Sequence, residues 1–202
     1  MKHTLFLGSQ SRSRQQLLSD VQIPFTIVSQ GADESKCDYN LPLQQLVERI
    51  VLYKMEHVVL PAGKEGQVCF VLTADTMSQD AHGVIHGKPK NRDDAVAKIK
   101  AARSGNFLVT SFCLDKKLFH GGVWQLDNRI CQSVSAEFSF IIPDKWIDQY
   151  LEQSWVLSAS GAITVEGFGM QFLKAVHGSY SAIIGLPIFE VREALANLGF
   201  YD

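Results

Sequence analysis

The sequence predicts a mixed α/β fold with a long central sheet flanked by helices. Three observations carry that prediction. The run from Val68 to Ala74 is densely apolar, as in a strand covered on both faces. Leu43, Leu46, Val47 and Ile50 recur at i, i+3, i+4 and i+7, the spacing of an amphipathic helix. Between 133 and 140 the period changes to two: Val134, Ala136, Phe138 and Phe140 alternate with Ser133, Ser135, Glu137 and Ser139, as in a half-buried antiparallel strand.

The elements follow in order. His3 to Leu7 reads as a first strand, punctuated by Gly8 and Ser9, with Leu17, Leu18 and Val21 at helical spacing behind it. Pro24 to Val28 reads as a second strand. The helix that begins near Leu43 carries its apolar stripe on toward Lys54 and Val58, so the lysine falls on a face where a solvated one is out of place. A loop at Gly63 to Gly66 precedes the apolar strand that runs up to Asp75. A hairpin is expected around Asp80 to Gly83, then a helix from about Arg92 to Arg103 with Ala95, Val96 and Ile99 inward. Pro143 and Asp144 open a helix through Tyr150, and Pro187 begins a last helix that buries Val191, Leu195 and Leu198. No internal repeat or linker interrupts this order, and a single domain over 1–202 is expected.

Composition narrows the function. With 202 residues the chain is long enough to bury a sizeable core, and 46% hydrophobic with 20% charged residues is ordinary for a globular protein. The apolar runs are too short to span a bilayer, and the start lacks the apolar length of a signal peptide, which points to a cytoplasmic protein with no membrane partner. A net charge of −2 gives no basic field for a polynucleotide. Cys37, Cys69, Cys113 and Cys131 are widely spaced with no C-x-x-C, as reduced core or surface thiols would be. The six histidines form no H-E-x-x-H pattern, and one pair, His82 and His86, stands four residues apart. His82 and His86 fall in the expected hairpin and read as surface residues, and Ser179 lacks the surroundings of a hydrolase nucleophile.

Chemistry concentrates in four polar segments at strand ends: Gly8 to Arg14, Ala32-Asp33-Glu34, Ala74-Asp75-Thr76 and Gly87-Lys88-Pro89-Lys90. In an open α/β sheet, ligands collect beyond the carboxyl ends of strands, where helix N-termini face anions. Ser9, Ser11 and Arg14 suit a phosphate cradle, Glu34 and Asp75 suit a shared divalent cation, and Lys54 and Lys88 suit phosphate oxygens. Each segment alone equally fits a structural role, as an N-cap with solvated arginines, a pair of turn acids or snorkelling lysines.

Taken together and in order, the segments resemble the Maf family of nucleotide pyrophosphatases over the whole chain. Ser9, Ser11, Arg14, Leu17 and Leu18 match its opening motif; Ala32-Asp33-Glu34, Lys54, Ala74-Asp75-Thr76 and Gly87-Lys88-Pro89 match its central ones. Ser160-Gly161-Ala162, Gly167-Phe168-Gly169, Gly178 to Ser181 and Ile184 to Pro187 match the closing ones. The resemblance implies an elongated, two-lobed fold around a nucleotide cleft, often as a homodimer. It implies hydrolysis of a nucleoside triphosphate, standard or modified, to the monophosphate and pyrophosphate with Mg²⁺ or Mn²⁺. Asp75 would be the proton acceptor; Glu34 and Asp75 would hold metal, and Ser9, Ser11, Arg14, Lys54 and Lys88 would hold substrate.

Ser13, Thr76 and Glu166 align with the family's base-selectivity positions. Thr76 is like the uridine and thymidine triphosphate branch and Glu166 like the 7-methyl-GTP branch; of the two, Glu166 favours a guanine-type base. The chain departs from the pattern at Arg12-Ser13, at Ile163 to Gly167 and at Val109-Thr110-Ser111. Those departures motivate a second expectation, a catalytically weakened nucleotide-binding regulator linked to septum formation in cell division.

Overall fold

The computed structural model describes residues 3–153 and 155–202. Strands β1 (Thr4–Leu7), β2 (Thr26–Ile27), β3 (Val68–Asp80), β4 (Ile85–His86), β5 (Asn106–His120), β6 (Val123–Phe140) and β7 (Leu173–Gly178) make one sheet in the order β2-β1-β3-β5-β6-β7, with β4 paired to β3. Helices α1 (Arg12–Asp20), α2 (Leu43–Glu56), α3 (Arg92–Ala101), α4 (Ile147–Gln153), α5 (Tyr180–Ile184) and α6 (Ile188–Asn197) complete the mixed α/β fold that the sequence predicts. The chain divides into two compact units. One comprises Met1–Asp75, Ser111–Ser133 and Gly185–Asp202; the other comprises Thr76–Thr110 and Val134–Ile184.

In the first unit β1 runs parallel to both neighbours, with Leu7 beside Ile27 of β2 and Leu72 of β3. Period-two alternation sends Leu5, Leu7, Phe70, Leu72, Phe112 and Leu114 to one face, where they meet Leu18 of α1 and Val191, Ala194 and Leu195 of α6. Their neighbours Phe6, Cys69, Val71 and Cys113 turn to the opposite face and pack with Val51 and Met55 of α2. Both faces are therefore covered, which is why the run at 68–74 is apolar throughout rather than alternating.

The second unit packs Ala95 and Ile99 of α3 with Ala136, Phe138 and Phe140 of β6, Ile147 and Tyr150 of α4, and Phe172. Strand β7 lies antiparallel to β6, and β4 lies antiparallel to β3 after the turn at 81–84. Tyr150 is fully buried, and its hydroxyl accepts the backbone N–H of Thr164 at 2.7 Å. No helix among the described residues is long and apolar enough to cross a membrane.

Two strands outrun their sequence signals. β3 continues to Asp80, so Asp75 stands inside a strand rather than at its end. What ends is the neighbour: β1 stops at Leu7 opposite Leu72, and Asp75 lies three residues beyond that point. β6 starts at Val123, well before the alternation at 133–140, because residues 123–132 are exposed or half-buried and carry no apolar period to read.

Candidate active site

Between β1 and α1 the chain turns through Gly8-Ser9-Gln10-Ser11. The Gly8 N–H donates to the Leu72 carbonyl at 2.9 Å, and a Cβ at Gly8 would fall 2.9 Å from Val58 Cγ2 and 3.0 Å from Thr73 Cγ2, so close approach requires glycine. Ser11 is the N-cap of α1, yet its side chain makes no capping hydrogen bond, which leaves this helix end suited to water or an anion. Ser9 is buried, and its Oγ accepts from the Ser11 N–H at 3.3 Å and from Arg14 Nη1 at 3.2 Å. With both acceptor positions engaged, the hydroxyl proton is what Ser9 has to offer an incoming oxygen.

Arg14 is buried, and its Nε donates to the Gly185 carbonyl at 2.8 Å. Burial lowers the pKa of its guanidinium, and the nearby carboxylates of Asp75 and Glu34 oppose that shift. Its role is thus partly to fasten the turn to the chain at Gly185, a link that no local signal announces. Ser13 follows in the first turn of α1, half-buried.

Lys54 lies on the buried stripe of α2 with Val47, Ile50 and Val51, as its spacing predicts. Its Nζ donates to Asp75 Oδ1 at 2.5 Å and stands 3.0 Å from Glu34 Oε1. Glu34 comes from a short 3₁₀ turn, Glu34–Lys36. The adjacent Asp33 is spent on that turn, accepting from the Ser35 N–H at 3.2 Å and the Ser35 hydroxyl at 2.6 Å. Two neighbouring acids with the same local signal therefore serve different ends: Asp33 builds the turn, and Glu34 reaches the lysine. Arg14, Lys54, Glu34 and Asp75 form a formally neutral quartet in which three members are almost withdrawn from water. Charges buried this way are retained where they are partnered or put to use.

Thr76, Lys88 and Glu166 belong to the second unit. Thr76 Oγ1 lies 2.8 Å from Thr110 Oγ1, and the Thr110 hydroxyl donates to the Ala182 carbonyl at 2.7 Å. Because Thr110 has one proton and gives it to Ala182, Thr76 must donate to Thr110. Lys88 is exposed in the loop after β4. Glu166 is half-buried ahead of the 3₁₀ segment Gly167–Phe172. Burial raises the pKa values of Tyr150, to about 12, and of Tyr180, and in both the charge of Glu166 adds to the rise. His82 is exposed as expected, whereas His86 is largely buried, its Nε2 2.9 Å from Asp80 Oδ2.

A family model described as Maf-like protein matches residues 4–198. The chain belongs to the Maf family. It is 29% identical over 205 residues to the nucleoside triphosphate pyrophosphatase of Prochlorococcus marinus, covering 96% of this chain and 97% of that protein. It is 31% identical over 209 residues to the dTTP/UTP pyrophosphatase of Treponema denticola, covering 97% of each. A dTTP/UTP pyrophosphatase of Colwellia psychrerythraea is 31% identical over 201 residues, covering 97% of this chain and 89% of that protein.

The Maf motifs that the sequence displays in the first unit converge as a group, Ser9 with Arg14 and Glu34 with Lys54 and Asp75. Among the described residues no set of three or more His, Cys, Asp or Glu side chains is placed to hold a metal. Glu34 and Asp75, meeting at one ammonium, nevertheless fit a hard divalent cation of the kind that takes one or two carboxylates and completes its shell with water and substrate phosphates. In the sequence of this Maf chain Thr110 and Gly185 stand out only as members of the segments 109–111 and 184–187, without a role of their own. Their roles depend on partners distant along the chain, Ala182 for Thr110 and Arg14 for Gly185.

Proposed function

We propose that this chain hydrolyses a nucleoside triphosphate to the monophosphate and pyrophosphate, with UTP and dTTP as its substrates. The observation that carries the reading is the Glu34–Lys54–Asp75 cluster on the unit that also holds the uncapped start of α1. Membership of the Maf family and the names of its relatives support the reaction class.

Asp75 accepts the proton of the water that attacks the α-phosphorus. Lys54 holds Asp75 Oδ1 in place and meets the negative charge that builds on the phosphate oxygens. The Ser9 hydroxyl and the N-terminus of α1 bind phosphate, and Arg14 holds Ser9 in orientation. Lys88 is assigned to the triphosphate from the Gly-Lys-Pro motif alone. Glu34 and Asp75 would hold Mg²⁺ or Mn²⁺, which supplies charge neutralisation for the departing pyrophosphate.

Base preference rests on Thr76. Since its proton goes to Thr110, its oxygen acts as an acceptor, complementary to the N3–H of uracil or thymine and mismatched to the bare N3 of cytosine. The relatives named for dTTP and UTP point the same way, and together these outweigh the guanine preference expected from Glu166. A pyrophosphate-release assay over UTP, dTTP, CTP, GTP and 7-methyl-GTP, with and without Mg²⁺, tests both parts. We expect UTP and dTTP to lead CTP by tenfold or more, about 1–3 kcal/mol for an unpaired buried acceptor, and Thr76→Val to erase that gap. Release of orthophosphate instead of pyrophosphate, or no turnover of any triphosphate, defeats the reaction class; preference for a guanine base defeats only the specificity.

A further inference from the structure

The β5–β6 ladder of the first unit places three pairs of side chains face to face. Ser111 and Ser133 share a hydrogen bond at 2.8 Å, and Arg129 makes a two-pronged ion pair with Asp115 at 2.6 and 2.8 Å. Between those rungs, at the same register, the sulfurs of Cys113 and Cys131 lie 2.8 Å apart with both thiols reduced. Residues directly opposed in an antiparallel pair have Cα atoms about 4.5–5.5 Å apart, within the span of about 4.4–6.8 Å that a disulfide bridges. Oxidation would therefore need little backbone movement. Cys113 is buried and Cys131 is exposed, so a small oxidant can reach one sulfur while the other waits behind it.

We propose that Cys113 and Cys131 are a redox-active dithiol, a modification site at which a hydroperoxide converts the two thiols into one intramolecular disulfide. Cys131 attacks first. Its pKa is lowered by its hydrogen-bonded pairing with the Cys113 sulfur at 2.8 Å and by the nearby Arg129, against burial and the charges of Asp115 and Glu48, while the Cys113 thiol donates to Asp115 Oδ1 at 3.8 Å. Cys113, whose pKa is raised by the same pairing with Cys131 and by burial, keeps its proton. The Cys131 thiolate takes the terminal oxygen of the hydroperoxide, giving a sulfenic acid and releasing the alcohol, or water when the oxidant is hydrogen peroxide. The Cys113 sulfur then attacks the Cys131 sulfur, the S–O bond breaks, and the hydroxide leaves with the Cys113 proton as a second water. Two thiols are oxidised by two electrons, and the peroxide O–O bond is reduced. The other cysteines are poorly suited to compete: burial pushes Cys69 up to about 12, and burial with the charge of Glu34 raises Cys37.

The reduced full-length chain, exposed to hydrogen peroxide and then denatured, is read by thiol count, intact mass and a non-reducing digest. We expect loss of two of the four thiols, a mass lower by about 2 Da and a peptide joining 113 to 131, all reversed by dithiothreitol. The oxidised form should melt higher by roughly 5–10 °C, since the bridge closes the β5–β6 hairpin. Cys131→Ser, a change at an exposed position, should keep its three remaining thiols at a dose that consumes two in the wild type. Cys113→Ser should stop at a sulfenic acid on Cys131 that dimedone traps. Oxygen addition at Cys131 with Cys113 still a thiol, a bridge to Cys37 or Cys69, or a bridge only between chains would each overturn the proposal.

Discussion

Lys54 occupies a position on α2 where an aliphatic side chain would satisfy the packing, and its ammonium meets Glu34 and Asp75 instead. Taking such charges out of water costs several kcal/mol per ion, and an apolar replacement is often as stable, so the pairing is poor evidence of a purely structural role. The stripe position was legible from spacing alone; which acids answer it was not, because Asp33 and Glu34 look alike until the 3₁₀ turn claims the first. Asp75→Asn keeps the size of the side chain and an oxygen for Lys54 while removing the proton acceptor. Turnover should fall roughly 10²–10⁴-fold, with nucleotide binding still measurable by titration calorimetry. Near wild-type turnover would move the base elsewhere.

At the scale of elements, the loop from Thr164 to Phe172 is set by backbone proximity rather than by pattern. A Cβ at Gly169 would sit 1.8 Å from the Thr164 carbonyl oxygen, whose residue is itself tied to the buried Tyr150 hydroxyl. Neither backbone can yield without breaking that tie, so Gly169→Ala should destabilise by about 2 kcal/mol or more in urea unfolding. A loss under about 0.5 kcal/mol would show that the loop relaxes freely. The Gly-x-Gly at 167–169 was visible as a motif, but its reason was not, since it depends on a contact with a residue five positions earlier in a non-repeating segment. The hairpin near Asp80 was legible from Asp80 and Gly83, whereas the extension of β3 through Thr76 and Ser78 was hidden by their polarity; at its far end Ser78 and Gln79 pair with His86 and Ile85 of β4.

Stability against acid is a property of the whole molecule, and Asp80 contributes to it. Burial raises the pKa of its carboxyl, but hydrogen bonds from His86 and from the Val84 and His82 N–H groups outweigh this and hold it below the ordinary value. A carboxylate depressed in the folded state contributes stability that is fully present above its unfolded pKa of about 3.9 and is lost as pH falls through the lower folded value. Asp80→Asn should therefore melt a few degrees below wild type at pH 7, with the gap closing near pH 2–3 in calorimetry at both pH values. A gap of unchanged size in acid would trace the loss to the geometry of the amide rather than to charge.

The sequence by itself determined the mixed α/β class, the helices and strands with strong periodicity, the odd position of Lys54 and, through many short motifs in one order, the family. These are local or collinear properties, written in spacing along the chain. Only the tertiary structure decided that Glu34 and Asp75 share one ammonium, that Arg14 fastens to a carbonyl 171 residues away, that Thr110 orders the proton of Thr76, and that Cys113 faces Cys131. Those contacts join residues distant in sequence through sheet register and packing. No residue carries a local mark of its partner there, because the partner is chosen by which strands and helices bury their apolar faces together.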